Sequence, residues 1–205
     1  AYSSSGITLE VNFQIMLKRA TIARVLHKWL GLLVGLQILI WLGTGLYMVI
    51  VNIDFIHGDS LVKNMQEQIS ANQAGLLKIS NVRSLYPGAT EIELKPVMGK
   101  PHYLVSTDSM QYLLNARNGD VISPLDEKTA TNIAIYHFDG DNPVAATRLI
   151  ESDPPMEIQT RPLPLWRIDF DDRYSTSFYI DPYSGRLLTR RFQYWRIFDF
   201  MWMLH

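Results

Sequence analysis

The sequence predicts an α+β protein: an N-terminal transmembrane helix followed by a domain of two repeats, each a helix with an antiparallel β-meander. Three observations carry this reading. Arg24–Ile53 (RVLHKWLGLLVGLQILIWLGTGLYMVIVNI) opens on basic residues and then runs about 25 residues without a formal charge, enough at 1.5 Å per residue to cross a bilayer core of about 30 Å. From Thr90 onward, short strand-like runs alternate with turn signals. Finally, KPHYLVSTDSMQYLLNARNGDVIS and LPLWRIDFDDRYSTSFYIDPYSGRLLT share a layout. In each, a proline precedes an aromatic strand, and an acidic turn, a second aromatic strand, a polar-Gly turn and a short apolar strand follow.

Taken in order, residues 1–10 are polar and expected to fray. Val11–Arg24 spaces Phe13, Ile15, Met16, Leu17 and Ile22 among polar positions, as a short amphipathic helix would. Residues 1–23 form a cytoplasmic or interfacial segment and 24–53 the transmembrane helix. Lys18, Arg19, Arg24 and Lys28 crowd its first end and Asp54 and Asp59 follow its last, which places the N-terminus in the cytoplasm. A cleaved signal peptide is disfavoured, because the apolar run is too long and no small-x-small site follows it.

Residues 54–190 form the extracytoplasmic domain. Leu61–Asn72 and Leu76–Tyr86 read as helices, the second stopped by Pro87-Gly88. Strands are expected at Thr90–Val97, His102–Thr107 and Gln111–Ala116, with Asn118-Gly119 as a hairpin turn and Asp120–Ser123 beyond it. Asp126–His137 reads as a helix, and a second strand set covers Glu157–Thr160, Leu165–Asp171, Ser175–Ile180 and Arg186–Arg190. Residues 191–205, rich in Trp, Tyr and Phe, read as an interfacial helix leading to a second transmembrane helix. The chain lacks an initial Met and stops at His205 inside a helix-like pattern, so a longer protein is expected.

Composition narrows the chemistry. With 205 residues, 47% hydrophobic and 19% charged, and a net charge of -1, the chain shows no basic stripe for nucleic acid. It has no cysteine, which excludes disulfides, thiolate metal sites, iron–sulfur ligation and c-type haem attachment within the chain. No nucleophile elbow, phosphate loop or zinc-protease motif occurs, and Asp139-Gly-Asp141-Asn142 lacks the ligand spacing of a calcium loop. No catalytic residue is assigned and no metal centre is predicted. Asp169, Asp171 and Asp172 read as charges guarding an edge strand.

Within the membrane helix, His27, Gly31, Gly35 and Gly45 fall within about 80° of one face. Two uses of that face are open: close packing of another helix, or room for a flat ligand. Neutral imidazole is a common axial haem ligand. His27 is the leading candidate among five histidines, with interaction at lipid headgroups as its alternative. His57 and His205 are both expected near the outer leaflet and form a second candidate group, while His102 and His137 read as core or surface histidines. His27 and His57 lie roughly 40–45 Å apart if the chain between them is helical, too far to share one haem.

Arg24-x-x-His27-Lys28-Trp29-Leu30-Gly31-Leu32 opening the membrane helix, Thr44-Gly45 late in it, the strand–turn–strand FYIDPYSGRLL, and the ending RIFDFMWMLH together resemble the PepSY-associated transmembrane family of bacterial inner-membrane proteins. The resemblance extends from about residue 20 to the end. It implies PepSY-like repeats in a periplasmic domain and a relation to siderophore-iron reductases. Some relatives of that kind carry b-type haem between histidine-bearing helices and act in iron acquisition. Haem b is thus the implied cofactor, with an electron donor or membrane partner subunit and an iron chelate as implied partners beside the lipid bilayer. Arg190, Arg191 and Arg196 beside Tyr194 and Trp195 are a candidate surface for the anionic chelate. The chain departs from larger members in carrying one complete membrane span. Isolated PepSY modules imply an alternative, a non-catalytic interaction module. It would bind a peptide, a peptidase or a membrane subunit through strand edges and the aromatics around Trp166, Phe178 and Tyr179.

Overall fold

A computed structural model describes residues 4–63, 67, 69 and 75–205 of the chain. They form an α+β protein with an N-terminal apolar helix and a sheet domain, and they divide into two units: residues 1–51 with 200–205, and residues 52–199.

Helix α1 (Ser4–Ile50) is continuous over 47 residues. The expected frayed start and separate amphipathic helix are therefore corrected: no proline interrupts Ser4–Arg24, and each further residue adds a hydrogen bond to a helix already nucleated. Its Lys18–Ile50 stretch, 33 residues, is long and apolar enough to cross a membrane, and only 6% of its most apolar window is buried. Apolar side chains surround it on all sides, with Leu33, Leu39 and Leu42 among those exposed. Thr44 is its one buried residue among those described.

The second unit opens on α2 (Ile53–His57). Asn52 caps it by accepting the Asp54 N–H at 2.7 Å, and Gly58 closes it in the left-handed region at φ +70°. A Cβ on Gly58 would sit 3.2 Å from the Phe192 ring, a second reason for glycine there. A single 3-10 turn, Asp59–Leu61, follows, and Val62 bridges to Phe138. The helix expected over Leu61–Asn72 lies mostly outside the described residues. Helix α3 (Ile79–Leu85) occupies the core of the predicted Leu76–Tyr86 segment.

The first sheet is an antiparallel meander of β1 (Ala89–Val97), β2 (Lys100–Thr107) and β3 (Gln111–Asn115). Met98 and Gly99, both at positive φ, make its first turn. Beyond Gly119 the predicted strand Asp120–Ser123 shrinks to one bridge, Leu114 to Val121. The Ser123 hydroxyl accepts the Leu113 N–H at 2.9 Å, and Pro124 has no N–H with which to extend the ladder. Helix α4 (Glu127–His137) is capped by Asp126, whose carboxylate accepts the Thr129 N–H at 2.8 Å. It buries Ala130, Ile133, Ala134 and His137, the i, i+3, i+4, i+7 face.

The second sheet runs in the order β4 (Val144–Ile150), β5 (Leu165–Phe170), β6 (Ser177–Ile180) and β7 (Leu187–Arg191), again antiparallel throughout. β4 was not expected. As an edge strand it exposes most of its residues and shows no alternation. The strand expected at Glu157–Thr160 is corrected to a 3-10 turn, Met156–Ile158, because Pro154-Pro155 ahead of it donate no ladder hydrogen bonds. Helix α5 (Gln193–Leu204) ends the chain.

Strand alternation distributes the core. Leu104 and Leu113 from the first sheet meet Ile133 and Phe138 of α4 and Ile168 and Phe178 of the second. On the opposite face of the first sheet, Tyr103, Val105 and Leu114 pack with Val82 of α3. On the opposite face of the second, Leu165 and Tyr179 pack with Ile150 and Ile158.

Candidate functional site

The helical unit holds the most specific arrangement. Thr44 sits on α1 with its hydroxyl 2.9 Å from the Ile40 carbonyl and 3.3 Å from that of Trp41, both of which can only accept. The hydroxyl has one proton, and it is spent on those carbonyls. Its oxygen also lies 3.1 Å from His205 Nδ1; with the hydroxyl proton turned to the Ile40 carbonyl, Thr44 accepts from a protonated Nδ1. A neutral His205 then has its lone pair on Nε2, and the side chain is exposed. The ring approaches α1 closely because residue 45 is glycine: a Cβ there would stand 3.2 Å from His205 Cε1. Trp41 flanks the ring at a centroid distance of 6.3 Å.

His27 lies seventeen residues before Thr44 on the same helix, about 25 Å along its axis. It is exposed, and the glycines one and two turns on, Gly31 and Gly35, are open: a Cβ on either would meet nothing within 4 Å. His27 and His205 therefore stand at two levels of α1 and cannot ligate one planar group together. His57, the last residue of α2, is exposed, and its backbone carbonyl accepts from Arg190 Nε at 2.9 Å. Among the described residues no group of three His, Asp or Glu side chains is placed to hold a metal ion.

The sheet domain holds a second polar arrangement that sequence spacing does not suggest. Glu157, half-buried beside the Met156–Ile158 turn, accepts the Tyr179 hydroxyl at 2.5 Å and the Arg196 guanidinium at 2.7 and 3.2 Å. Arg196 also donates to the Ser175 carbonyl at 2.7 Å and the Ser177 hydroxyl at 3.0 Å. Arg167 pairs with Asp169 at 2.7 Å and with Ser177 at 3.2 Å. Burial alone would raise the Glu157 pKa, but hydrogen bonds from Arg196 and Tyr179 and the charges of Arg196 and Arg167 hold it below the ordinary glutamate range. Burial, reinforced by the Glu157 carboxylate, pushes the Tyr179 hydroxyl well above the usual tyrosine range.

These contacts revise three expectations. The arginines considered for an anionic chelate are engaged within the protein: Arg196 with Glu157, Arg191 stacked 3.8 Å over the Trp195 ring, and Arg190 with Asp59. Asp169 does not guard an edge, because β5 lies between β4 and β6, and Asp172 accepts the Thr176 N–H and hydroxyl, each at 2.7 Å. Phe178 and Tyr179 are 0% exposed and Trp166 donates to the Leu125 carbonyl at 2.8 Å, so these aromatics build the core instead of a partner surface. His102 is buried on β2 with Nδ1 2.8 Å from the Lys100 carbonyl, a structural role.

Compared with models of known protein families, with curated proteins and with solved structures, the chain matches none.

Proposed function

We propose that the chain is an inner-membrane protein of PepSY type and a haem-linked component of electron transfer toward iron chelates on the periplasmic side. α1 spans the membrane with Lys18, Arg19, Arg24 and Lys28 in the cytoplasm, and the sheet domain lies in the periplasm. The order of elements, a helix leading into an antiparallel meander twice over (α3 with β1–β3, α4 with β4–β7), supports reading the domain as two diverged repeats.

One observation carries the functional reading: Thr44 holds His205 Nδ1 at 3.1 Å, which orients the ring and, with Nδ1 protonated, leaves Nε2 to act as a ligand. An imidazole oriented by a hydrogen bond at its other nitrogen is the form in which histidine ligates metals. The residues present fit histidine ligation of haem at two levels, His205 beside Thr44 toward the end of α1 and His27 midway along it, where Gly31 and Gly35 leave the backbone open to a flat ring. Haem b bound there would supply a one-electron iron couple. The chain's own share would be to present the two imidazoles, His205 oriented by Thr44, among apolar side chains of α1. Each level offers one histidine of the helical unit that would hold the group, and His57 is the third exposed imidazole among the described residues.

The test is the haem content of the membrane-purified protein and of its His27→Ala and His205→Ala variants, measured as the pyridine haemochrome. Each variant is expected to lose haem while the near-ultraviolet circular dichroism of the sheet domain stays unchanged. Undiminished haem in both variants would remove these residues as ligands. A colourless wild-type protein that copurifies with a stoichiometric partner would favour the non-catalytic interaction module.

A further inference from the structure

An amphipathic helix of a globular domain ordinarily turns its apolar side inward, and α5 does the reverse. At 100° per residue, Tyr194, Ile197 and Met201 fall within about 60° of one another, with Arg196 and Asp199 on the opposite side. The helix buries none of its residues. Its polar side is what holds it to the sheet domain: the Arg196 guanidinium donates to the Glu157 carboxylate at 2.7 Å, the Ser175 carbonyl at 2.7 Å and the Ser177 hydroxyl at 3.0 Å. Tyr194 and Ile197 stay exposed.

Helix α2 continues that surface. The Phe55 ring centroid lies 5.3 Å from that of Tyr194 and 5.7 Å from that of Phe192, and Tyr174 lies 5.9 Å from Tyr194. Ile53, Phe55, Tyr194 and Ile197 are each 36–50% exposed. Arg173, also exposed, stands 4.5 Å over the Tyr174 ring, so a cation borders the ring cluster. Aromatic rings and arginine stems are the side chains that suit the headgroup boundary of a bilayer. Chain length decides which partner this face meets. Ile53 follows Ile50, the last residue of α1, by three peptide units, at most about 10 Å of chain. A bilayer crossed by α1 therefore brings its headgroup layer, about 5–8 Å deep, within reach of α2. An apolar face tethered so closely to a span meets lipid before any soluble partner.

We propose that the face formed by α2 and the start of α5 docks the sheet domain on the bilayer surface, with Ile53, Phe55, Tyr194 and Ile197 entering the zone between headgroups and acyl chains. The proposal rests on the reading of α1 as a membrane span and is independent of haem. The chain has no cysteine, so nitroxide labels can be placed one at a time on the full chain in phosphatidylcholine nanodiscs. Ile53→Cys and Ile197→Cys sample the docking face, and Leu33→Cys samples the span. Lys128→Cys is the water control: it is exposed on the first turn of α4, next to Leu125, whose N–H donates to Pro182 at the end of β7 away from α5. Power saturation of the nitroxide signal compares collisions with oxygen, which concentrates in acyl chains, and with a water-soluble nickel chelate. The oxygen-to-nickel ratio is expected to be several-fold higher at Ile53, Ile197 and Leu33 than at Lys128. A high ratio at Leu33 with Ile53 and Ile197 matching Lys128 would overturn the docking and leave the span standing. A low ratio at Leu33 as well would remove the span and the docking with it. Few collisions with either reagent at Ile197 would show a face covered by protein, another helix or a second copy, and would also overturn the proposal.

Discussion

The two units of this chain solve opposite problems. The sheet domain closes on itself: Glu157, taken out of water, is met by a tyrosine and two arginines, and Phe178, Ile180 and Ile133 are fully buried. The helical unit closes almost nothing. Its large apolar side chains face outward, Gly31, Gly35 and Gly43 are open, and His205, exposed, is held beside Thr44. Burial costs free energy for polar groups left unpaired, and exposure costs it for apolar ones. A helix built like α1 therefore has its proper surroundings outside the chain.

That contrast can be broken at several points. The largest effect is expected from Phe178→Ala, which should cost the sheet domain about 3–5 kcal/mol in denaturant unfolding, whereas Leu33→Ala on α1, 67% exposed, should leave the same transition where it is. A shifted transition in the Leu33 variant would show that the helical unit's apolar side chains are spent on the sheet domain. Glu157→Ala should also destabilise strongly, by about 3 kcal/mol or more, since it strands Arg196 and the Tyr179 hydroxyl in a partly buried site.

The pH dependence of that cluster has a definite sign. The folded-state pKa of Glu157 is depressed, so its contribution is complete above the unfolded-state glutamate value and is lost as the pH falls through the lower folded value. Wild-type stability should therefore decline in acid more steeply than that of Glu157→Gln, as read by urea midpoints down to the carboxylate range. Parallel curves would remove Glu157 as the source of the decline.

Smaller effects sharpen the helical side. Thr44→Val deletes the acceptor that fixes His205 and should weaken cofactor retention by about 10–100-fold without touching the ligand itself. Retention equal to wild type would show that His205 orients without Thr44. Smallest is Gly35→Ala, where nothing in the chain obstructs a methyl group and helix propensity gains about 1 kcal/mol. Lost cofactor or lost association in that variant would report that a flat ring or a second helix covers the open face.

The sequence was legible where one element could be judged alone. The membrane-spanning part of α1 followed from an uncharged run, α4 was placed at Asp126–His137, and β2 and β3 followed from strand-like runs. It was illegible where the determinant lay elsewhere. β4 is an exposed edge whose pairing depends on β5, and the segment at Glu157 took its shape from the prolines before it. The partners in the two polar sites are distant in sequence: Glu157 and Arg196 are 39 residues apart, and Thr44 and His205 are 161. His27, Gly31, Gly35 and His205 could be nominated from residue type and helical spacing, but the contact of His205 Nδ1 with the Thr44 hydroxyl required the fold.

The central claim, that α1 and His205 hold a redox-active haem, is tested most directly by the visible spectrum of the protein purified from haem-sufficient membranes in mild detergent, recorded oxidised and after dithionite. The account predicts a Soret band that shifts on reduction, with sharpened α and β bands. A spectrum without these features, from protein whose sheet domain is folded, would contradict it.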